Sequence, residues 1–318
     1  MKKYLKSAWR ITSFVAIILV LLFVSSLVLQ PKSNRKSDGM SDSSANGILG
    51  EPKNTIDVIF IGDSDAYSSF IPLKIWKDKG ITSYVCATPA QRLCYSAEFL
   101  EKAFKTQKPK LVILETNAVF RPVSFMDGIK QFTEERFSVF RYHNRWKTLK
   151  LKDFSFGVDS MGTELNKGYI FSTGISPSPD TDYMTKTAAP ASVTVKNNFY
   201  VERIISMCEE NGARLVFVST PSTKNWNKNK HDSMVKYAEK LEHDFIDLNT
   251  ADEIEIDWSK DTKDKGDHLN YSGAIKVTRY MESYLEETGL FTDKRSNKDY
   301  GEWNDAVAQF TKSSGVDL

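Results

Sequence analysis

Five short apolar runs, each parted from the next by helix-patterned chain, constrain this sequence most. They are Ile56-Asp57-Val58-Ile59-Phe60-Ile61, Ser83 to Ala87, Leu111-Val112-Ile113-Leu114, Arg214 to Ser219 and Phe245-Ile246-Asp247-Leu248. Runs this short and this apolar suit strands buried on both faces. Between them, helical patterns cover 72–79, Ser96 to Lys105 (Phe99, Leu100, Ala103 and Phe104 on one face), about 193–211 closed by Gly212, 231–242, and about 271–288 ended by Gly289. The alternation predicts an α/β fold, a flavodoxin-like three-layer arrangement with a parallel sheet and helices on both faces. Ligands of such sheets bind beyond the carboxyl ends of the strands. That directs attention to Asp63-Ser64, Thr88 to Gln91, Glu115 to Asn117 and Thr220-Pro221.

The N-terminus sets the expected compartment. Ile11 to Gln30 carries no charge, and twenty helical residues span roughly 30 Å, the thickness of a bilayer's hydrocarbon core. Lys2, Lys3, Lys6 and Arg10 precede the run. The excess of positive charge before it predicts a single-pass protein in the cell membrane, N-terminus cytoplasmic and body extracellular. A cleaved signal peptide is the rival reading. Against it, the run is long for such a segment and Leu27-Val28-Leu29 offers no small-residue cleavage site. Residues 1–31 thus read as cytoplasmic stub and anchor, and 32–53, rich in Ser, Asn and Gly, as a flexible linker. Residues 54–292 read as the α/β domain and 293–318 as a polar tail. Within the domain, about 118–190 breaks the alternation with many aromatic and basic residues and reads as an inserted cap.

With 43 Lys and Arg against 41 Asp and Glu, the chain has no basic excess to mark a nucleic-acid binder. Cys86, Cys94 and Cys208 lack the paired spacing of a zinc site and are too few for a disulfide scaffold. Two segments carry chemistry. Gly62-Asp63-Ser64 ends the first strand and puts a serine hydroxyl on a turn at the ligand face. A serine there needs an adjacent base to become a nucleophile. Asp264-Lys265-Gly266-Asp267-His268-Leu269-Asn270 precedes the last long helix, which Asn270 would cap. A histidine among carboxylates can serve as that base, with one carboxylate fixing its tautomer. Either Asp264, through a one-residue bulge, or the adjacent Asp267 could do so. His143, His231 and His243 show no partner pattern. Arg92 and Trp226, near predicted strand ends, are open to contact with a polyanionic or sugar substrate, and the Lys167-Gly168-Tyr169 turn reads equally as a cleft lining or as a turn leading into a strand.

Together, Gly62-Asp63-Ser64 and His268-Leu269-Asn270-x-x-Gly273 resemble the SGNH (GDSL-like) hydrolase superfamily in residues, order and strand context. The resemblance implies Ser64 as nucleophile and His268 as base. It also implies an oxyanion hole built from the Ser64 and Ala90 backbone N–H groups and the Asn117 side chain. Ala90 stands where relatives have glycine, and Lys265 stands three before the histidine where they have aspartate. The chemistry implied requires neither metal nor organic cofactor. Relatives with an N-terminal anchor include D-alanyl transfer proteins and polysaccharide O-acetyltransferases of the cell envelope. The expected function is therefore an extracytoplasmic serine esterase or acyltransferase whose partner is an acylated wall polymer or polysaccharide. The alternative is a non-catalytic envelope protein that keeps the fold to bind glycan or scaffold a complex.

Overall fold

In the computed structural model, which describes residues 2–155, 162–185 and 190–318, the strands are β1 Val58–Gly62, β2 Ser83–Ala87, β3 Leu111–Glu115, β4 Arg214–Ser219 and β5 Asp244–Asp247. They form one parallel sheet in the order β2-β1-β3-β4-β5. The predicted strands are thus all present, in the flavodoxin-like order.

Their side chains divide with period two. Ile59, Ile61, Tyr84, Cys86, Val112, Leu114, Leu215 and Phe217 enter one core, while Val58, Phe60, Val85, Leu111, Ile113, Val216 and Val218 enter the other. Helices cover both faces. Taken in chain order, the helices used below are α1 Lys2–Leu29, α2 Ser64–Ser69, α3 Pro72–Lys79, α4 Leu93–Phe104, α5 Phe125–Arg136, α6 Val195–Glu210, α7 Lys228–Leu241, α8 Tyr271–Glu287 and α9 Gly301–Ser314. Leu93, Ala97 and Leu100 of α4, Val201 and Ile204 of α6 and Met234 of α7 fill the first core. Ala66 of α2, Ile75 of α3, and Val277, Met281 and Leu285 of α8 fill the second. Each Val, Leu, Ile, Phe or Met among them contributes about 1.5–3 kcal/mol by leaving water.

The chain divides into two compact units, residues 1–43 with 124–162, and residues 44–123 with 163–318. The second holds the sheet. In the first, α1 is a single apolar helix. Its Tyr4–Leu29 stretch, which contains an 18-residue window of mean hydropathy 2.8, is long and apolar enough to cross a membrane.

Three expectations are corrected. Residues 32–53 are not a flexible linker. Lys32, Ser33 and Asn34 are buried, Ser33 Oγ donates to Asp38 at 2.7 Å, and Ala45 and Ile48 enter the sheet unit's core. Small polar residues here make buried turns rather than solvated coil. The insertion is not one cap. Its first part packs with the N-terminal segment, while Lys167, Ile170, Ser176 and Ser178 make backbone hydrogen bonds within the sheet unit; 156–161 and 186–189 lie outside the described residues. The C-terminal tail is not loose, because α9 buries Trp303 and Phe310, and Trp303 packs 5.5 Å from Trp76.

Candidate active site

β1 delivers the first site segment. Gly62 is its last residue, and a Cβ there would stand 2.6 Å from Glu115 Cβ, so only glycine lets β1 and β3 end side by side. Asp63 caps α2 by accepting the Asp65 N–H at 3.0 Å. Ser64 is the first residue of α2, partly exposed, and its N–H makes no hydrogen bond among the described residues.

The second segment is a tight loop. Thr262 and Leu269 form an antiparallel bridge, and Lys265 and Gly266 both take positive φ, 62° and 86°. This left-handed pair absorbs the extra residue between Asp264 and His268. The Asp264 carboxylate accepts the His268 backbone N–H at 2.7 Å and lies 2.6 Å from His268 Nδ1. Asp267 points elsewhere, accepting from Asn225 Nδ2 at 2.8 Å. Of the two acids left open by the sequence, Asp264 is the one on the imidazole. Asn270 caps α8, accepting the Gly273 N–H at 3.3 Å.

His268 Nε2 is buried without a hydrogen-bond partner among the described residues. Ser64 Oγ makes no hydrogen bond to it. The carboxylate facing Nε2 is that of Asp65, with Oδ1 3.9 Å away. Tyr67, on the next turn of α2, lies parallel to the imidazole with centroids 6.5 Å apart, and the Ser64 side chain stands within reach of its hydroxyl.

Solved structures with a similar chain are lipases, acylhydrolases and esterases. A GDSL-like lipase from Bacteroides thetaiotaomicron is 11% identical with a TM-score of 0.38, over 77% of this chain and 99% of that one. A lipase/acylhydrolase from Enterococcus faecalis is 12% identical with a TM-score of 0.39, over 73% of this chain and 97% of that one. A psychrotrophic esterase from Pseudoalteromonas sp. is 9% identical with a TM-score of 0.38, over 73% of this chain and 98% of that one. No protein-family model and no curated protein matches the chain.

The oxyanion-hole candidates fare differently. Ala90 has a φ of 51°, and its N–H makes no hydrogen bond among the described residues. The turn is held by Gln91, whose N–H donates to Thr88 O at 3.2 Å and whose Nε2 donates to Ser96 Oγ at 3.0 Å. Asn117 does not offer its amide to a substrate here. Its Nδ2 donates to Asp63 Oδ2 at 3.1 Å and to Asp65 Oδ2 at 3.2 Å.

Sequence reasoning missed the network that engages it. Asp63, Asp65 and Glu115 are buried together. Burial, reinforced by Asp63 and then by Glu115, holds the Asp65 carboxyl well above the usual range, and burial beside Asp63 pushes Glu115 up to about 8. Arg121 donates to Asp63 Oδ2 at 2.8 Å, and Lys230 Nζ donates to Asn117 Oδ1 at 3.0 Å. Asp65, four residues into a Gly-Asp-Ser-Asp run, was the one visible signal. Arg121, Asn225 and Lys230 lie far apart in sequence and carried none.

Among the described residues, two groups bring ligand atoms within 4.8 Å of one another, Asp65 with Asp267 and His268, and Asp63 with Asp65 and Glu115. In each, a protein amide already lies between carboxylates: Asn225 Nδ2 spans Asp65 and Asp267, and Asn117 Nδ2 spans Asp63 and Asp65.

Three positions that the sequence left open take structural partners. His231 does have a partner, with Nδ1 2.6 Å from Asp247 Oδ2, and this hydrogen bond raises its pKa. Trp226 is buried and donates to the same carboxylate at 2.9 Å. Lys167 and Tyr169 are buried as well, Lys167 on Glu51 at 2.8 Å, so neither lines an open cleft.

Proposed function

We propose that the chain is a membrane-anchored serine esterase or acyltransferase acting on O-acyl groups of cell-envelope polymers or glycans. The observation that carries this reading is the Asp264–His268 pair. One carboxylate accepts from both the backbone N–H and the Nδ1 side of the histidine, which leaves Nε2 as the basic atom, buried at the ligand end of the sheet beside the turn that bears Ser64.

In the reaction, a rotation of the Ser64 side chain brings its hydroxyl to Nε2. His268 takes the proton as Ser64 Oγ attacks the ester carbonyl, and Asp264 stabilises the imidazolium. The free N–H groups of Ser64 and Ala90 are donors available to the oxyanion, and Asn117 joins them if its amide leaves the carboxylates. His268 then returns the proton to the leaving alcohol. Water, or a second hydroxyl, takes the acyl group from Ser64 by the same steps in reverse. The apolar helix α1 holds the domain at the membrane, facing outward.

A second reading, a non-catalytic envelope module that binds glycan, is favoured by the Asp65 carboxylate facing Nε2 and by the engaged Asn117 amide. Covalent labelling separates the two. A fluorophosphonate should label the wild type and fail to label Ser64→Ala and His268→Ala. Equal labelling of all three, or of none, removes the enzyme.

A further inference from the structure

Helix α5 is built inside out for water. Its buried positions are polar, Gln131 and Glu134, with Arg141 Nε donating to Glu134 at 3.2 Å. Its outward face carries Met126, Ile129 and Phe132, all exposed, with the Arg136 guanidinium 3.6 Å from the centre of the Phe132 ring. The chain that follows repeats the pattern: Trp146, Leu151 and Phe154 are exposed, Leu151 at 93%. Exposed lysines alternate with them at Lys147, Lys150 and Lys152. An aqueous surface does not select so many exposed apolar side chains within one short segment, and their concentration marks a surface that meets something else.

The same unit shows what it meets. Residues 124–155 pack on the C-terminal end of α1. Val139 N–H donates to Ser26 Oγ at 3.2 Å, and Arg145 donates to Leu29 O at 2.7 Å and to Gln30 O at 2.8 Å. That is where the apolar stretch of α1 gives way to Lys32, Arg35 and Lys36, so it is the level at which a bilayer spanned by α1 would end. Aromatic rings and long basic side chains are the groups that settle at that level. The segment carries seven basic and four acidic residues, a bias toward anionic headgroups.

We infer that residues 124–155 form an interfacial module, lying in the headgroup region of the bilayer with Ile129, Phe132, Trp146, Leu151 and Phe154 directed into lipid. The inference rests on reading α1 as the membrane anchor. A helix-and-loop body of this composition lies in the interface plane rather than spanning it.

Environment-sensitive labelling of the full-length chain tests the inference. The three native cysteines are buried, so single cysteines replace Phe132 and Leu151, with Val20→Cys in α1 and Glu239→Cys on α7 as references. Each is labelled with a nitrobenzoxadiazole and reconstituted in phosphatidylcholine–phosphatidylglycerol vesicles at low protein density. At 132 and 151 the emission should shift to the blue, be quenched by lipids carrying a shallow doxyl group and be protected from aqueous iodide, whereas 239 shows the reverse. If 132 and 151 behave like 239, the interfacial module is overturned even when Val20 is quenched from within the bilayer. If Val20 alone is exposed to iodide, the anchor reading is the one that fails. A blue shift at 132 and 151 that grows with protein density and ignores lipid quenchers would assign the face to a second copy of the chain and overturn the inference.

Discussion

Asp264 and Asp267 are near neighbours of one histidine and do different work. Asp264 accepts both the backbone N–H and the Nδ1 side of His268, while Asp267 is bound to Asn225. Asp264→Asn should therefore lower ester turnover by about 10²–10⁴-fold, and Asp267→Asn by less than about tenfold. Steady-state rates on a chromogenic acetyl ester check this, and equal losses would disprove the assignment. Ala90 makes a second residue-scale case. A non-glycine residue in the left-handed region costs about 1–2 kcal/mol, and part of that is offset by the looser unfolded chain of a glycine variant. Ala90→Gly should stabilise the fold by about 0.5–1 kcal/mol, read from denaturant midpoints. The sequence showed both positions as departures from a pattern. It could not show the carboxylate that faces Nε2. Which of Ser64 and Asp65 turns toward the imidazole depends on a cap at Asp63 and on donors from Asn117 and Asn225, all set by tertiary packing.

The strands and helices were the most legible elements. Period-two burial and five apolar runs leave little freedom in the sheet, so β2 and β4 fall where the pattern puts them. Asn270 and Gly212 mark helix ends through their own chemistry, a side-chain cap in one case and a positive φ of 69° in the other. The segments misread were those with no period. Residues 32–53 and the C-terminal tail look like solvated chain by composition and become ordered through contacts made far away in sequence. The β1–α2 junction offers a sharp test. Gly62→Ala drives a Cβ to 2.6 Å from Glu115 Cβ and 3.1 Å from Ala66 Cβ. Because neither neighbour is a flexible side-chain end, the variant should lose about 1–3 kcal/mol, and a melting temperature unchanged within error would contradict the packing.

Across the whole molecule, the buried carboxyl groups set a pH dependence. Glu115 holds its proton up to about pH 8 when folded, against 4.5 for the free group. Between those values the unfolded chain has released a proton that the native state keeps, so stability falls as pH rises through the window. His231 acts in the same direction, since its raised pKa favours the fold below its unfolded value and that contribution is lost as pH climbs through the folded one. Thermal melting should accordingly shift downward from pH 5 to pH 8, and Glu115→Gln should flatten the curve. A melting point that rises over this interval would mean that these groups are ionised in the native protein.

The guanidinium that closes the end of α1 bears on how the protein can be handled. Arg145 is itself buried, held by Asp153 at 2.6 Å while it serves the last carbonyls of α1. Trimming away the first thirty residues to make a soluble fragment would leave that guanidinium, the Val139 amide and their apolar surroundings as a raw face. A fragment meant for crystallisation or assay is better made by excising 124–162 together with residues 1–43, so that the whole unit leaves as one piece.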